Sequence, residues 1–171
     1  MRPTLQLKRC RLQTPLGELM LMASPKGLVS LQWEDRVEPM DRHLSRHLGT
    51  CLVQDVTDLP GISDNLLAYV RGDIHSLIGV PVDPPGTAFQ RTVWTALCTI
   101  PVGSTWSYAQ LASAIGRPTA ARAVANANGS NPIPIVIPCH RVIASGGGLG
   151  GFSCGLHRKR WLLHHEGSLT G

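Results

Sequence analysis

The chain has 171 residues, of which 43% are hydrophobic, and a formal net charge of +5. That length suits one ordinary domain or two small ones, the apolar share suffices for a core, and no apolar run approaches the ~20 residues of a bilayer-spanning helix. The opening Met1-Arg2-Pro3-Thr4 lacks the pattern of a signal peptide, and five cysteines without regular spacing fit reduced thiols, so the expectation is a soluble cytoplasmic protein without a membrane partner.

From the N-terminus, LQLKRCRLQTPLGELMLMASPKGLVSLQW gives three runs of roughly alternating apolar residues. Thr14-Pro15-Leu16-Gly17 and Ser24-Pro25-Lys26-Gly27 separate them as turn sequences, which predicts an antiparallel meander. A polar helix is expected over residues 39–48, and a second over 62–71 with Leu66, Leu67 and Val70 on its apolar side. His43, His47 and Cys51 stand at i, i+4 and i+8, so a continuous helix would align them as a metal site requires. Gly49 is expected to end that helix first and no fourth ligand lies near, so a solvated face is preferred and no metal is expected. Nothing in this α+β half looks catalytic.

Residues 79–89, GVPVDPPGTAF, hold three prolines and two glycines and read as a linker. They divide a structural domain, 1–83, from a second domain, 84–171. The first has nine Lys/Arg against ten Asp/Glu, a balance of −1; the second has seven Lys/Arg against one acid, Glu166, a balance of +6. The excess positive charge therefore sits in one half, as in a protein facing a polyanion, although an uneven solubility bias would look the same.

The second half opens with TAFQRTVWTALCTI, whose Phe89, Val93, Trp94, Leu97 and Ile100 form an amphipathic stripe, with Thr87 as N-cap and Pro101 as stop. Ser107 caps a helix carrying Ala109, Leu111, Ala112 and Ile115. Gly116 ends it, and Pro118 starts another whose small face is Ala120, Ala121, Val124 and Ala125. Two short helices about a glycine turn form the helix-turn-helix pattern, which core helix pairs also show. Its small face allows close approach to a nucleic acid backbone, with Arg122 projecting. Without the charge asymmetry, Arg122 would read as a solvated surface arginine.

The apolar run IPIVIP then reads as a strand ending in Cys139-His140-Arg141. A thiol attacks as the thiolate, so Cys139 needs a neighbour to take its proton. His140 is the obvious base, yet adjacent strand residues point to opposite faces, so the peptide must turn or a water must bridge. Glu166 would fix the imidazole tautomer. On these residues alone a buried structural cysteine, a cysteine hydrolase and a less common nucleophile all remain open. The glycine-rich SGGGLGG lacks the Lys-Ser/Thr of a phosphate cradle and reads as a pocket loop.

The string Pro138-Cys139-His140-Arg141, preceded by Asn131-Pro132-Ile133-Pro134, resembles the active-site signature of the 6-O-alkylguanine-DNA alkyltransferases, the methylated-DNA–protein-cysteine methyltransferases. The likeness continues through FQRTVWTAL, YAQLA, RPTAARAVANANGSNP, GGF and RKRWLLHHEG, in order over nearly all of residues 87–167. It implies an α+β protein with a ribonuclease-H-like antiparallel sheet and helices first, then a mostly helical, winged-helix-like domain that binds DNA. It implies that Cys139 accepts an alkyl group from 6-O-methylguanine, and from 4-O-methylthymine, once and irreversibly, with no cofactor and no metal. Cys139 would be activated through a water to His140 and on to Glu166. Asn131 would tie the DNA-binding helix to the active-site strand, and Tyr108 would rotate the phosphate and donate to the guanine ring.

Arg122 would fill the gap left by the flipped nucleotide, with Ser107, Thr119, Ala121, Ala123 and Arg141 also at the DNA. The carbonyls of Cys139 and Val142 would accept from the exocyclic amine, and the pocket would include Asn128, Pro134, Phe152, Ser153 and Lys159. The implied partner is double-stranded DNA entered by its minor groove, without an obligate protein partner, and the family allows cooperative self-association on DNA. Phe152 for a usual tyrosine, Cys154 for a usual small residue and Ala125 for a frequent glycine depart from the pattern. None removes a group the chemistry needs.

Overall fold

The computed structural model describes residues 3–169. In chain order the elements are β1 (Leu5–Thr14), β2 (Gly17–Ser24), β3 (Gly27–Trp33), α1 (Val37–Leu48), β4 (Cys51–Asp55), α2 (Ser63–Val70), α3 (Ala88–Leu97), β5 (Trp106–Ser107), α4 (Tyr108–Ala114), α5 (Ala121–Gly129), β6 (Val142–Ile143) and α6 (Leu156–His165). The chain parts into two compact units after Pro85.

In the first unit the meander forms as its alternation dictates. β1 pairs antiparallel with β2, setting Cys10 opposite Leu21, and β2 with β3, setting Leu21 opposite Leu31. The first turn is held by Thr14, whose Oγ1 accepts from Leu16 N at 3.1 Å. The sheet is not wholly antiparallel as expected. β4 pairs in parallel with β1, Leu5 opposite Cys51, giving the order β3-β2-β1-β4. A parallel neighbour needs a long crossover, here through α1, and such non-local pairing leaves no local signature. Leu7, Met22 and Val29 of the sheet bury against Leu44 of α1.

Gly49, at φ 71, ends α1. Cys51 then opens β4, so His43, His47 and Cys51 do not share a helix face. His43 Nε2 instead donates to the Pro85 carbonyl at 2.7 Å.

Part of the expected linker is ordered against β3: Leu28 N donates to Pro81 O at 3.0 Å, and Asp83 N to Leu28 O at 2.7 Å. Gly27 permits this approach. It sits at φ +144, and a Cβ there would stand 2.6 Å from the Pro81 carbonyl carbon.

In the second unit both predicted caps form complete capping boxes, Thr87 with Gln90 on α3 and Ser107 with Gln110 on α4. α3 buries Val93, Trp94 and Leu97. Gly116, at φ +74, turns the chain after α4. α5 then begins at Ala121 and not at Pro118, because Ala120 N donates to Arg117 O at 2.9 Å and closes a separate turn first. The interior face of α5 is Val124, Ala127 and Asn128, with Trp94 Nε1 donating to Ala127 O at 2.8 Å. β5 and β6 pair in parallel, a ribbon too short for its period to show in sequence.

Residues 133–138 form no strand. Pro132, Pro134 and Pro138 lack the N–H groups a ladder needs, and the segment folds into buried turns closed by Ile137 N to Ile133 O at 2.9 Å. Ile135, only 1% exposed, lies at φ 75, where a β-branched residue is strained by about 1–3 kcal/mol.

Candidate active site

The strained turn delivers the chain into a single 3-10 turn, Cys139–Arg141, packed beside α6. Three residues per turn fan the three side chains outward, so Cys139 and His140 are not forced to opposite faces as on a strand. Asn131 staples the turn from within. Its Nδ2 donates to Ile137 O at 2.8 Å and its Oδ1 accepts from Ile133 N at 2.9 Å.

His140 Nε2 lies 2.8 Å from Glu166 Oε1, both side chains fully buried. The carboxylate can only accept, so Nε2 carries the hydrogen. Nδ1 is then the lone-pair nitrogen, and it is buried without a hydrogen-bond partner in the protein. Glu166 is also gripped by Arg141, through Nε at 3.0 Å and Nη2 at 2.9 Å, while Arg141 Nη1 donates to Ile100 O at 2.8 Å. Burial opposes the Glu166 charge, but hydrogen bonds from His140 and Arg141 outweigh it and hold the carboxyl far below the usual range. Burial lowers His140, against the pull of Glu166, so the resting imidazole is neutral.

Cys139 is 4% exposed and borders a cavity of about 350 Å³, a size typical of small-molecule sites. Burial pushes its thiol up to about 11, with the Asn131 side chain and the Lys159 charge working against that rise. Lys159, itself pushed down to about 8 by burial, donates to Val142 O at 2.6 Å and Gly151 O at 3.1 Å, tying β6 to the glycine-rich loop. Burial raises the Tyr108 hydroxyl despite a Gly151 backbone hydrogen bond, so it remains a donor at neutral pH. Ser153 Oγ donates to Gly129 O at 2.7 Å.

The cavity therefore combines a thiol, a hydroxyl donor, an apolar Phe152 wall and the amides of α5, and the residue after the thiol carries a buried lone-pair nitrogen. Such a set suits nucleophilic attack on a flat, polar-edged ligand.

Residues 88–168 match the family model for 6-O-methylguanine DNA methyltransferase, DNA binding domain. A methylated-DNA–protein-cysteine methyltransferase of Shigella flexneri is 44% identical over 168 residues, 96% of this chain and 98% of that one. The Mycobacterium tuberculosis protein of the same name is 42% identical over 158 residues, 92% of this chain and 90% of its own. This chain belongs to the methylated-DNA–protein-cysteine methyltransferase family. Among solved members, the structure of Mycobacterium tuberculosis OGT in complex with DNA superposes with a TM-score of 0.79 at 38% identity, covering 94% of this chain and 93% of that one.

Within this methyltransferase, Tyr108, Asn128, Asn131, Pro134, Cys139, Phe152 and Ser153 all line the cavity. Val142 and Lys159 do not; both are fully buried, bonded to one another behind the loop. Arg141, expected at the DNA, lies instead in the interior, 7% exposed, because the one acid of this half recruits it. Arg122, Ala123 and Thr119 are exposed and Ala121 is half-buried, while the half-buried Ser107 spends its hydroxyl on capping α4. Cys154 and Ala125, which with Phe152 depart from the family pattern, also border the cavity, as does Gly151 of the expected pocket loop; Asn126 and Gly129, which lie there too, were passed over by sequence reasoning. The small, amide-rich ending of α5, Ala125-Asn126-Ala127-Asn128-Gly129, was the available signal.

Proposed function

We propose that this methyltransferase repairs DNA by direct reversal, moving the methyl group of 6-O-methylguanine onto Cys139 in a single, irreversible turnover. The observation that carries the reading is Cys139 at the cavity wall beside the buried His140–Glu166 pair.

The lesion lies on the pairing edge of the base, so the nucleotide leaves the stack before it reacts, at a cost of a few kcal/mol that a weakened lesion pair reduces. Basic contacts to phosphate offset the remainder. Arg122, projecting from the exposed side of α5, enters the duplex from the minor groove and occupies the gap. The small neighbours Ala121 and Ala123 let the helix come close.

In the pocket the Cys139 proton passes through a bridging water to His140 Nδ1, and Glu166 holds the imidazolium. Sγ attacks the methyl carbon. An S–C bond forms as the C–O bond to guanine breaks, and its electron pair moves onto the guanine oxygen. Tyr108 donates to the ring and steadies that charge as an oxyanion hole would. Guanine takes a proton at N1 from solvent and the imidazolium gives its own back through the bridging water, so the protons balance. The thioether has no acyl group for water to cleave, so the thiol is not regenerated. The same attack serves 4-O-methylthymine, which presents a methyl ether on the corresponding edge.

Intact mass tests the reading directly. Incubation with a duplex carrying 6-O-methylguanine adds one methylene, in one-to-one stoichiometry, and Cys139→Ala abolishes the gain. An unchanged mass, or repeated turnover on one protein, overturns it.

A further inference from the structure

The sheet of the first unit has one covered edge and one open edge. Along β3 the edge is covered by residues 81–83, with Leu28 and Val82 forming a parallel bridge. At the opposite edge lies β4, and no strand pairs with its outer side among the described residues. Val56 N donates inward to Arg9 O at 2.8 Å, and strand alternation then turns the N–H and C=O groups of Val53 and Asp55 outward. Natural sheets blunt such an edge with lysine, proline or a bulge. β4 holds no lysine or proline, pairs with β1 without a register shift, and leaves Leu52 56% and Val53 43% exposed.

A second observation lies on the same strand. Gln54 borders a cleft of about 320 Å³ whose other walls include Gln6, Lys8, Ala23, Leu59 and Ile62. Lys8 is the only charged residue in that wall, and it makes no ion pair among the described residues. Leu52 shares the cleft face of β4 with Gln54. Val53 and Asp55 lie on the other face, where Arg9 Nε donates to Asp55 Oδ1 at 2.7 Å.

A strand laid along β4 would find main-chain partners at Val53 and Asp55, an apolar hollow within reach of a long side chain crossing Gln54, and an ammonium ready for a carboxylate. A second copy of this chain supplies only part of that. Its own β4 carries Leu52 and Gln54 on one face, and its only carboxylate, Asp55, sits on the other with Arg9.

We propose that the open edge of β4 docks a partner protein, which adds an extended segment to the sheet with a bulky apolar side chain at the cleft and a carboxylate two residues away at Lys8. The site lies wholly within the first unit and is independent of alkyl transfer.

The test is fluorescence anisotropy of the full chain with a labelled peptide, Ser-Thr-Phe-Thr-Glu-Thr-Ser, which sets its phenylalanine and glutamate on one face. Saturable binding is expected. Val53→Pro removes an outward N–H without touching the ladder to β1, and weakens binding by about tenfold or more. Lys8→Glu weakens it as well, and a peptide with lysine in place of the glutamate recovers the loss on that variant alone. Melting temperatures establish that each variant is folded, and the charge exchange decides by itself should the proline variant not fold. Absence of saturable binding to wild type, undiminished binding to folded Val53→Pro, or a charge exchange without recovery overturns the assignment. A wild-type dimer in sedimentation that Val53→Pro splits overturns it in favour of pairing between copies.

Discussion

His140 Nε2 and Glu166 Oε1 stand 2.8 Å apart in a site closed to solvent, with Arg141 on the same carboxylate through two nitrogens. One acid thus holds a buried imidazole and neutralises a buried arginine. Both tasks fall to it because no other Asp or Glu lies in residues 84–171.

Glu166→Gln keeps the shape and removes the charge. The buried Arg141 guanidinium then has no counter-charge, and stability falls by about 3 kcal/mol or more, read by urea unfolding. Methyl transfer slows by about 10²- to 10⁴-fold in single turnover, the usual weight of general-base assistance. Because the folded carboxyl lies below its unfolded value, its stabilisation is present above the unfolded pKa of about 4 and is lost as pH falls through the folded value. The variant therefore loses less stability than wild type on acidification below pH about 4. Equal acid sensitivity would count against the pairing.

Cys139, pushed up to about 11, holds far less thiolate at neutral pH than a free thiol, by about several hundredfold. Iodoacetamide labelling, followed by peptide mass, should climb about tenfold per pH unit from 7 to 9 in the native protein without levelling. The urea-unfolded chain should level near pH 8.5, the value of a free cysteine. A native plateau at or below that pH means the thiol rests partly ionised, and the need for His140 as base disappears.

Much of this site was legible. Thr87 and Ser107 were readable as caps because a cap is a local code of side-chain oxygen and returning amide. Cys139, His140 and Glu166 stood out by chemistry and by the scarcity of acid. Arg141 was misplaced because an arginine beside a reactive thiol in a basic half looks like a phosphate contact. Its burial depends on a carboxylate 25 residues away and on the Ile100 carbonyl. The run from Ile133 to Ile137 is as apolar as a strand, and only its prolines signal that the backbone must turn. β4 escaped notice for a different reason: its partner, β1, lies 46 residues earlier at Arg9–Asp55, and parallel pairing is fixed by the crossover and not by its own residues.

Lys159 and Cys139 make opposite contributions to stability at high pH. Lys159 is held down at about 8, so its contribution grows as pH rises from there toward its unfolded value. Cys139 is held up at about 11, so its contribution is present at pH 8 and drains away as pH rises toward 11. Removing one exposes the other. Relative to wild type, Lys159→Met loses about 2 kcal/mol more between pH 8.5 and 10, and Cys139→Ala gains about as much. Denaturant titrations at the two pH values check both. Parallel shifts in the two variants contradict the opposed titration.

Arg122 is exposed on α5, and no Asp or Glu side chain lies on the surface of this unit to compete for it, because Glu166 is buried. Its loss is therefore expected to leave the fold intact. Arg122→Ala should leave the melting temperature within a degree or two, as surface changes usually do. Transfer from a duplex should fall by about tenfold or more, because the extruded nucleotide returns to a stack that nothing fills. Transfer from the free modified base, which needs no extrusion, should be nearly unchanged. Duplex affinity should also depend less on salt, its log–log slope falling by about one if the guanidinium displaces one counterion. Equal losses on duplex and free base would place Arg122 outside the flipping step and leave it a solvated surface residue.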